Sequence, residues 1–403
     1  MHEIFANINS YSINIKEYKK EYMCHLEHLR DNIFKSLKKD AVFSRLYNGV
    51  YLKGSYGDNL KVKYPDEYDL VFRLKLPESH RIIVVKDRNV PGNVILDLTE
   101  VFRTIANQKQ HADILKYLKK WVTDNNLLSI KLLQSWLERC FTKALDDLNK
   151  QIIYKNIVST IIYRKQGPAH TIFIYTPYKY SVDFVPAIVL NSSQAVLKNI
   201  PGNWDAVPKP LKDTLSITSF RASYDSLENE IIKDKKNLKN ALRIMKKFRD
   251  RHQNMSNLKS YYIKTIFLWR ASTESTCFWN KSINFVIMEM FNDLKTSLVK
   301  CKLPYFWDAG LNLYDKIGAP GLLEMRKCVE SKVVTLERYQ RLQVKTENDA
   351  YKVYEIFLTE TERRKMGIQK IKSPTVEDTR NDSTQPNEIK SQNDSILSKC
   401  TIS

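Results

Sequence analysis

The chain has 403 residues, 43% of them hydrophobic, with 65 lysines and arginines against 45 aspartates and glutamates and a formal net charge of +20 at pH 7. That length and apolar content suit two lobes with separate cores. No run of about 18 apolar residues occurs, which excludes a helical membrane span. So large a positive excess predicts attraction to a polyanion, with nucleic acid the first candidate. The six cysteines (24, 140, 277, 301, 328 and 400) have no CxxC spacing, which argues against a disulfide framework and for a reducing, cytoplasmic setting. The first residues, MHEIFANINSYS, carry neither the basic nor the apolar part of a secretory signal.

Residues 16–39 place Leu26, Leu29, Ile33, Phe34 and Leu37 at helical spacing, with Arg30, Lys35, Lys38 and Lys39 elsewhere around the helix. This predicts a long amphipathic spine helix in an N-terminal region of residues 1–50. Strand-like patterns run from about Tyr51 to Leu76 and return in IIYKNIVSTIIYR and HTIFIYTPYKYSVDFVPAIVL, with turn signals at Gly167-Pro168 and Thr176-Pro177. Between them, 111–150 reads as helical. Past Trp204, Pro208 and Pro210 act as breakers, and helix-period apolar residues continue to about Arg364. The expected fold class is α+β with two lobes: a core with a central mixed sheet over 51–205 and an α-helical lobe over 206–366. Residues 367–403 are polar, lack aromatics and read as a disordered tail. Its five basic and five acidic residues cancel, so the charge excess belongs to the folded part.

Glu67 and Asp69 stand two apart in EYDLVFRL, so on a strand they share a face. Two carboxylates side by side repel unless a divalent cation lies between them, and oxygen ligands suit Mg²⁺ or Mn²⁺. Upstream, Gly54 lets backbone approach a polyphosphate, and Ser55 offers a hydroxyl at a helix start or nest. A two-metal phosphoryl-transfer site needs a third acid, on a neighbouring strand. Asp183 in YSVDFVPAIVL, the one acid in an otherwise buried-looking strand, fits that role. For the residues alone, a solvated strand face for Glu67 and Asp69, and a turn-capping or salt-bridged Asp183, remain the alternatives. The pattern predicts a metal-dependent nucleotidyltransferase.

The segments GSYGDNL, EYDLVF, GPAHTIFIYTPYKYSVDFVPAIVL, SFRASYDSLENEII, LRIMKKF and KSYYIKT, in this order and spacing, make the chain similar to the cyclic GMP-AMP synthase-like receptors from about Leu52 to Thr265. The resemblance implies a bilobal nucleotidyltransferase fold and synthesis of a cyclic GMP-AMP from ATP and GTP. It implies that Glu67, Asp69 and Asp183 hold two Mg²⁺ or Mn²⁺ ions, with Asp183 also near the attacking hydroxyl. On the ATP side it implies Ser55, Lys246, Ser260, Tyr261 and Lys264; on the GTP side, Arg221, Ser223 and Glu228. Each has chemistry to match: a guanidinium fork for a guanine edge or phosphate, an ammonium for a triphosphate, and a flat ring for stacking on a base. A salt bridge from Arg221 to Glu228 or Glu230, solvated lysines and a core-packed Tyr261 are the bland readings of the same residues.

The DNA-sensing vertebrate branch of that family carries a zinc-binding His and Cys insertion where this chain has only KDKKNLKNA, so no zinc is expected. Cys24, His25 and His28 form the one local Cys/His cluster and read as structural, because a closed zinc site needs four ligands. Receptors lacking the insertion resemble sensors of double-stranded RNA, which is read through shape, phosphate and 2′-hydroxyl contacts. Candidate RNA-facing residues are Lys19, Lys20, Arg30, Lys35, Lys38 and Lys39 on the spine helix, with Lys233, Lys235, Lys236 and Lys239. The resemblance also implies a role upstream of a STING-type receptor in antiviral innate immunity, favours a 3′,2′ over a 2′,3′ linkage, and allows an RNA-induced dimer. An oligoadenylate-synthetase-like enzyme with linear products, or a silent nucleotidyltransferase that binds RNA or protein, are the rival readings.

Overall fold

In a computed structural model, residues 1–13, 16–58, 60, 61, 66–210 and 217–370 are described, the side chains of 12, 13 and 16–19 excepted. The tail beyond 370 therefore lies outside the described residues. Helices α1 (His2–Ile13), α2 (Lys16–Leu37) and α3 (Ala41–Leu46) lead into strand β1 (Tyr47–Lys53), the one-turn helix α4 (Gly54–Gly57) and β2 (Glu67–Leu74). Then come β3 (Ile83–Lys86), β4 (Asn93–Asp97), α5 (Thr99–Ile105), α6 (Ala112–Leu118), α7 (Ile130–Asp147), β5 (Gln151–Tyr154), β6 (Ile157–Gln166), β7 (Ala169–Ile174), β8 (Tyr180–Leu190), β9 (Trp204–Val207) and β10 (Ser219–Ser223).

The spine helix forms where its periodicity predicts. Leu26, Leu29, Ile33, Phe34 and Leu37 are all buried, and α2 packs on α7 and β5. Residues 111–150, which read as helical, form α6 and α7 with a connecting stretch. The stretch between them is tied down by bridges Asp97 to Leu127 and Val122 to Leu128, and Ser129 caps α7 by accepting from the Leu132 N–H. Helix α1, outside the expected elements, buries Ile4, Phe5 and Ile8 and sets Phe5 edge-on to Phe357, ring centroids 5.5 Å apart.

Strands β3, β4, β10, β9, β8, β7, β6 and β5 lie in that order in one sheet, and β2 joins it by pairing with both β1 and β8. The β2–β8 pair is parallel and the other pairs are antiparallel, so the sheet is mixed. Its far face, carrying Leu70, Phe72, Val182 and Phe184, is sealed into the main core. Strands β9 and β10 keep the chain in the sheet as far as Ser223, well past residue 205 where the sequence pattern ends the core. The second lobe comprises α8 (Asp225–Ile232), α9 (Leu238–Arg251), α10 (Ser260–Thr273), α11 (Thr276–Asn280), α12 (Ile283–Val299), the hairpin β11–β12 (Pro304–Tyr305 and Asp308–Asn312), α13 (Ala319–Arg341), α14 (Glu347–Phe357) and α15 (Glu360–Lys365). Its apolar side chains join the same continuous core. No helix among the described residues is long and apolar enough to cross a membrane.

Candidate active site

Register puts the acids together. Asp69 on β2 pairs with Asp183 on β8, and Glu67 with Ser181, so Glu67, Asp69 and Asp183 share a face. Their carboxylate oxygens lie within 4.8 Å of one another. The same face continues across the sheet: Val189 pairs with Asp205, Asp205 with Ser223, and Val207 with Arg221. Thus Arg221 and Ser223 stand on the face that carries the acids, over a small apolar floor of Val71, Ala187 and Val207. Beside that floor Asp205 is held by Arg73 at 2.9 and 3.0 Å and by the Tyr51 hydroxyl at 2.6 Å.

The triad is short of positive charge. Burial, then Glu67 and Asp183, push the Asp69 carboxyl up to about 6, partly offset by Lys53 and Lys61. Burial also raises Asp183, against a 2.6 Å hydrogen bond donated by the Thr171 hydroxyl to its Oδ1. Three converged oxygen ligands with repelling charges are what a hard divalent cation compensates, so the donor set fits Mg²⁺ or Mn²⁺. Gly54 closes over it with φ +66°; a Cβ there would fall 1.9 Å from Asp69 Oδ2. Glycine is required on both counts.

The second lobe grips the segment that follows Gly54-Ser55. Lys246 is buried and donates to the Leu60 carbonyl at 2.8 Å. Burial, then the charge of Arg249, bring its pKa down to about 8. Lys264 bridges Asp58 at 2.8 Å and Glu228 at 2.9 Å. Glu228, expected to line the acceptor pocket, is instead 1% exposed. Its Oε1 accepts from Tyr261 at 2.7 Å and Trp307 at 3.0 Å, so it stands behind the cleft as the anchor of Tyr261 and Lys264. Ser260 accepts from Arg249 at 2.5 Å. Ser55 is half-buried, and its carbonyl accepts from the Leu60 N–H at 2.7 Å. Arg221 makes no ion pair among the described residues. It lies over the Tyr305 ring, 5.7 Å from the centroid, and against Gly92, where a Cβ would sit 2.4 Å from Nη1.

Sequence reasoning missed several partners. Lys53, the residue before Gly54, is ion-paired with Asp225 and bonded to Ser223. Lys209 is open to solvent, yet crowding around its ammonium and the charges of Arg221, Lys259, Lys316 and Lys53 bring it to about 8. Its flanking prolines, and the position of Lys53 beside Gly-Ser, were the signals that could have found them.

The Cys24, His25, His28 cluster does not converge. His25 is buried, its Nδ1 2.6 Å from the Tyr180 hydroxyl, and burial holds it neutral with a pKa of about 4. His28 Nε2 lies 2.9 Å from the Ile153 carbonyl. These residues pin the spine helix to the sheet. Of the basic candidates, Lys20, Lys35, Lys38, Lys39, Lys233 and Lys236 are exposed, whereas Arg30, Lys235 and Lys239 are half-buried. Arg30 pairs with Asp31, Lys39 with Asp147 and Lys233 with Glu230. Lys235 is turned onto the Ile231 carbonyl, and the Lys19 side chain lies outside the described residues.

Residues 56–234 match the Mab-21 protein nucleotidyltransferase domain and residues 237–331 the Mab-21 protein HhH/H2TH-like domain. A cyclic GMP-AMP synthase-like receptor of Lucilia cuprina is 45% identical over 341 residues, covering 84% of this chain and 92% of that protein. The chain belongs to the cyclic GMP-AMP synthase-like receptors. Cyclic GMP-AMP synthase-like receptor 1 of Drosophila melanogaster is 40% identical over 317 residues, 76% of this chain and 84% of its own. A receptor of that name from Aethina tumida is 30% identical over 354 residues, 84% and 88%. The two matched domains of this family member meet between α8 and α9, just beyond the last strand of the sheet.

Proposed function

We propose that the chain is a cytoplasmic, double-stranded-RNA-activated enzyme that joins ATP and GTP into a cyclic GMP-AMP, with a 3′,2′ linkage favoured, as a messenger for a STING-type receptor in antiviral immunity. The observation that carries the nucleotidyl-transfer reading is the register of Glu67, Asp69 and Asp183 beneath Gly54, with Arg221 and Ser223 on the same sheet face. Two Mg²⁺ or Mn²⁺ ions bound by the acids would supply charge compensation for the triphosphate and activation of the attacking hydroxyl. The chain's own groups do the rest. Ser55 and the adjoining N–H groups, steadied by Lys246 and Lys264 at Leu60 and Asp58, hold the donor phosphates. Arg221, Ser223 and Lys209 take the acceptor, whose hydroxyl lies near Asp183 for in-line attack on the donor α-phosphate, with pyrophosphate leaving. In a second attack a hydroxyl of the joined adenosine displaces pyrophosphate from the α-phosphate at the guanosine triphosphate end, which closes the ring. Tyr261, with its hydroxyl fixed by Glu228, offers a ring to stack on a base.

Double-stranded RNA as the trigger is supported by the +20 charge and by the absence of a zinc insertion between α8 and α9. The deciding assay incubates the protein with labelled ATP, GTP and Mn²⁺, with and without duplex RNA. A phosphatase-resistant product is expected. A phosphatase-sensitive ladder would indicate oligoadenylate-type chemistry, and no product with any duplex would indicate a silent binding protein.

A further inference from the structure

The geometry points to Lys53 and Asp225 as a paired reader of the guanine edge of the acceptor nucleotide, an inference that rests on the reading of GTP as acceptor. Lys53 ends β1 in register with the acid Asp69, and Asp225 is the first residue of α8. Their charged groups form an ion pair. The Lys53 ammonium also donates to Ser223 Oγ at 2.9 Å, and the Ser223 hydroxyl donates to Asp225 Oδ2 at 3.1 Å. Ser223 shares the cleft face with Arg221, two residues along β10, and Lys53 shares its register level with Asp69, so the trio links the acid-bearing and Arg221-bearing parts of that face. The two side chains retain 23% and 13% exposure, too buried to be a solvated surface pair and open enough to meet a ligand.

A partly buried ion pair is not needed for stability, since an apolar pair of similar volume often does as well. Here it offers a fixed donor beside a fixed acceptor. Guanine presents the complement, with O6 accepting next to an N1–H and a 2-amino group that donate. Adenine inverts that order, with a 6-amino donor next to an N1 acceptor, so it would set donor against ammonium and acceptor against carboxylate. A site built on hydrogen bonds rejects a ligand that leaves its buried polar groups unpaired.

The test compares GTP, ATP and xanthosine triphosphate as acceptors in the full-length protein with duplex RNA and Mn²⁺. Asp225→Asn replaces an acceptor from the guanine 2-amino group by an amide that can donate to the 2-oxo group of xanthine. Its kcat/KM ratio for xanthosine triphosphate over GTP should rise at least about ten-fold. Lys53→Met should lower the GTP over ATP ratio by about ten-fold, compared at a temperature where the variant is folded. Parallel loss of all acceptors with both ratios unmoved would overturn the inference and leave a strap between β1 and α8. If Asp225→Asn does not fold, an unmoved ratio in Lys53→Met overturns it alone. A wild-type protein that prefers GTP while the variants keep its ratios sinks only the Lys53–Asp225 assignment; one that never uses GTP sinks the acceptor reading with it.

Discussion

Gly54 shows how a single residue ties the turn after β1 to the carboxylate cluster. With φ +66° and the Asp69 carboxylate where its Cβ would be, Gly54→Ala must displace either the loop or the ligand. Displacements of about 1 Å cost about 10²-fold in rate, so product formation should fall at least that far while the melting temperature changes little. Asp69 has a second consequence. Its carboxyl is raised to about 6, so the folded state binds this proton more tightly than the unfolded chain. That contribution to stability is present below the ordinary carboxylate range and is lost as pH rises through about 6. A bound cation replaces the proton, so Mn²⁺ should raise the melting temperature by about 2 °C or more at pH 7.5 and by less at pH 5. The Asp69→Asn variant should lose that response. The acids were readable from sequence because a strand's period of two is local. Thr171, Asp58 and Lys53 were not, since their partners are set by register between distant segments. Glu228 was placed on the pocket wall, but it serves as a buried anchor because Tyr261, Trp307 and Lys264 converge on it only in three dimensions.

At the scale of elements, the spine helix and the loop around α4 matter most. Helix α2 was legible from one apolar stripe, and that stripe is what it buries. Its exposed residues are mixed in charge, Lys20 and Lys35 beside Glu21, Glu27 and Asp31, and Lys38 is exposed just past its end. Reversing these three lysines to Glu should abolish RNA-stimulated synthesis, weaken RNA binding uniformly across sequences and lower the salt dependence of binding by about 0.9 for each phosphate no longer neutralised. Binding of Mn²⁺ and nucleotide should survive, because none of the three belongs to the carboxylate face; equal RNA affinity for variant and wild type would exclude α2 as the RNA face. The stretch 111–150 read as helical and carries α6 and α7; the turn between them is imposed by bridges to β4 and within the stretch, which a window of sequence cannot see. Helix α1 escaped notice because its few apolar residues pair with α14, more than 300 residues away.

On the scale of the whole molecule, two lobes meet along one core and share the site. The sheet supplies the three acids, Arg221 and Ser223; the helical lobe holds the segment after Gly54 through Lys246 on Leu60 and Lys264 on Asp58. The lobes were foreseen, but the boundary fell early because β9 and β10 are short strands beyond a proline-containing break, and only the ladder reveals them. Charge pointed to a polyanion without saying which one. The measurement that bears most directly on the whole account is synthesis by purified protein from ATP and GTP with Mn²⁺ and duplex RNA, run beside Glu67→Ala/Asp69→Ala. The account predicts a phosphatase-resistant cyclic GMP-AMP that depends on RNA and disappears in the double variant. The same cyclic product from the variant would contradict it.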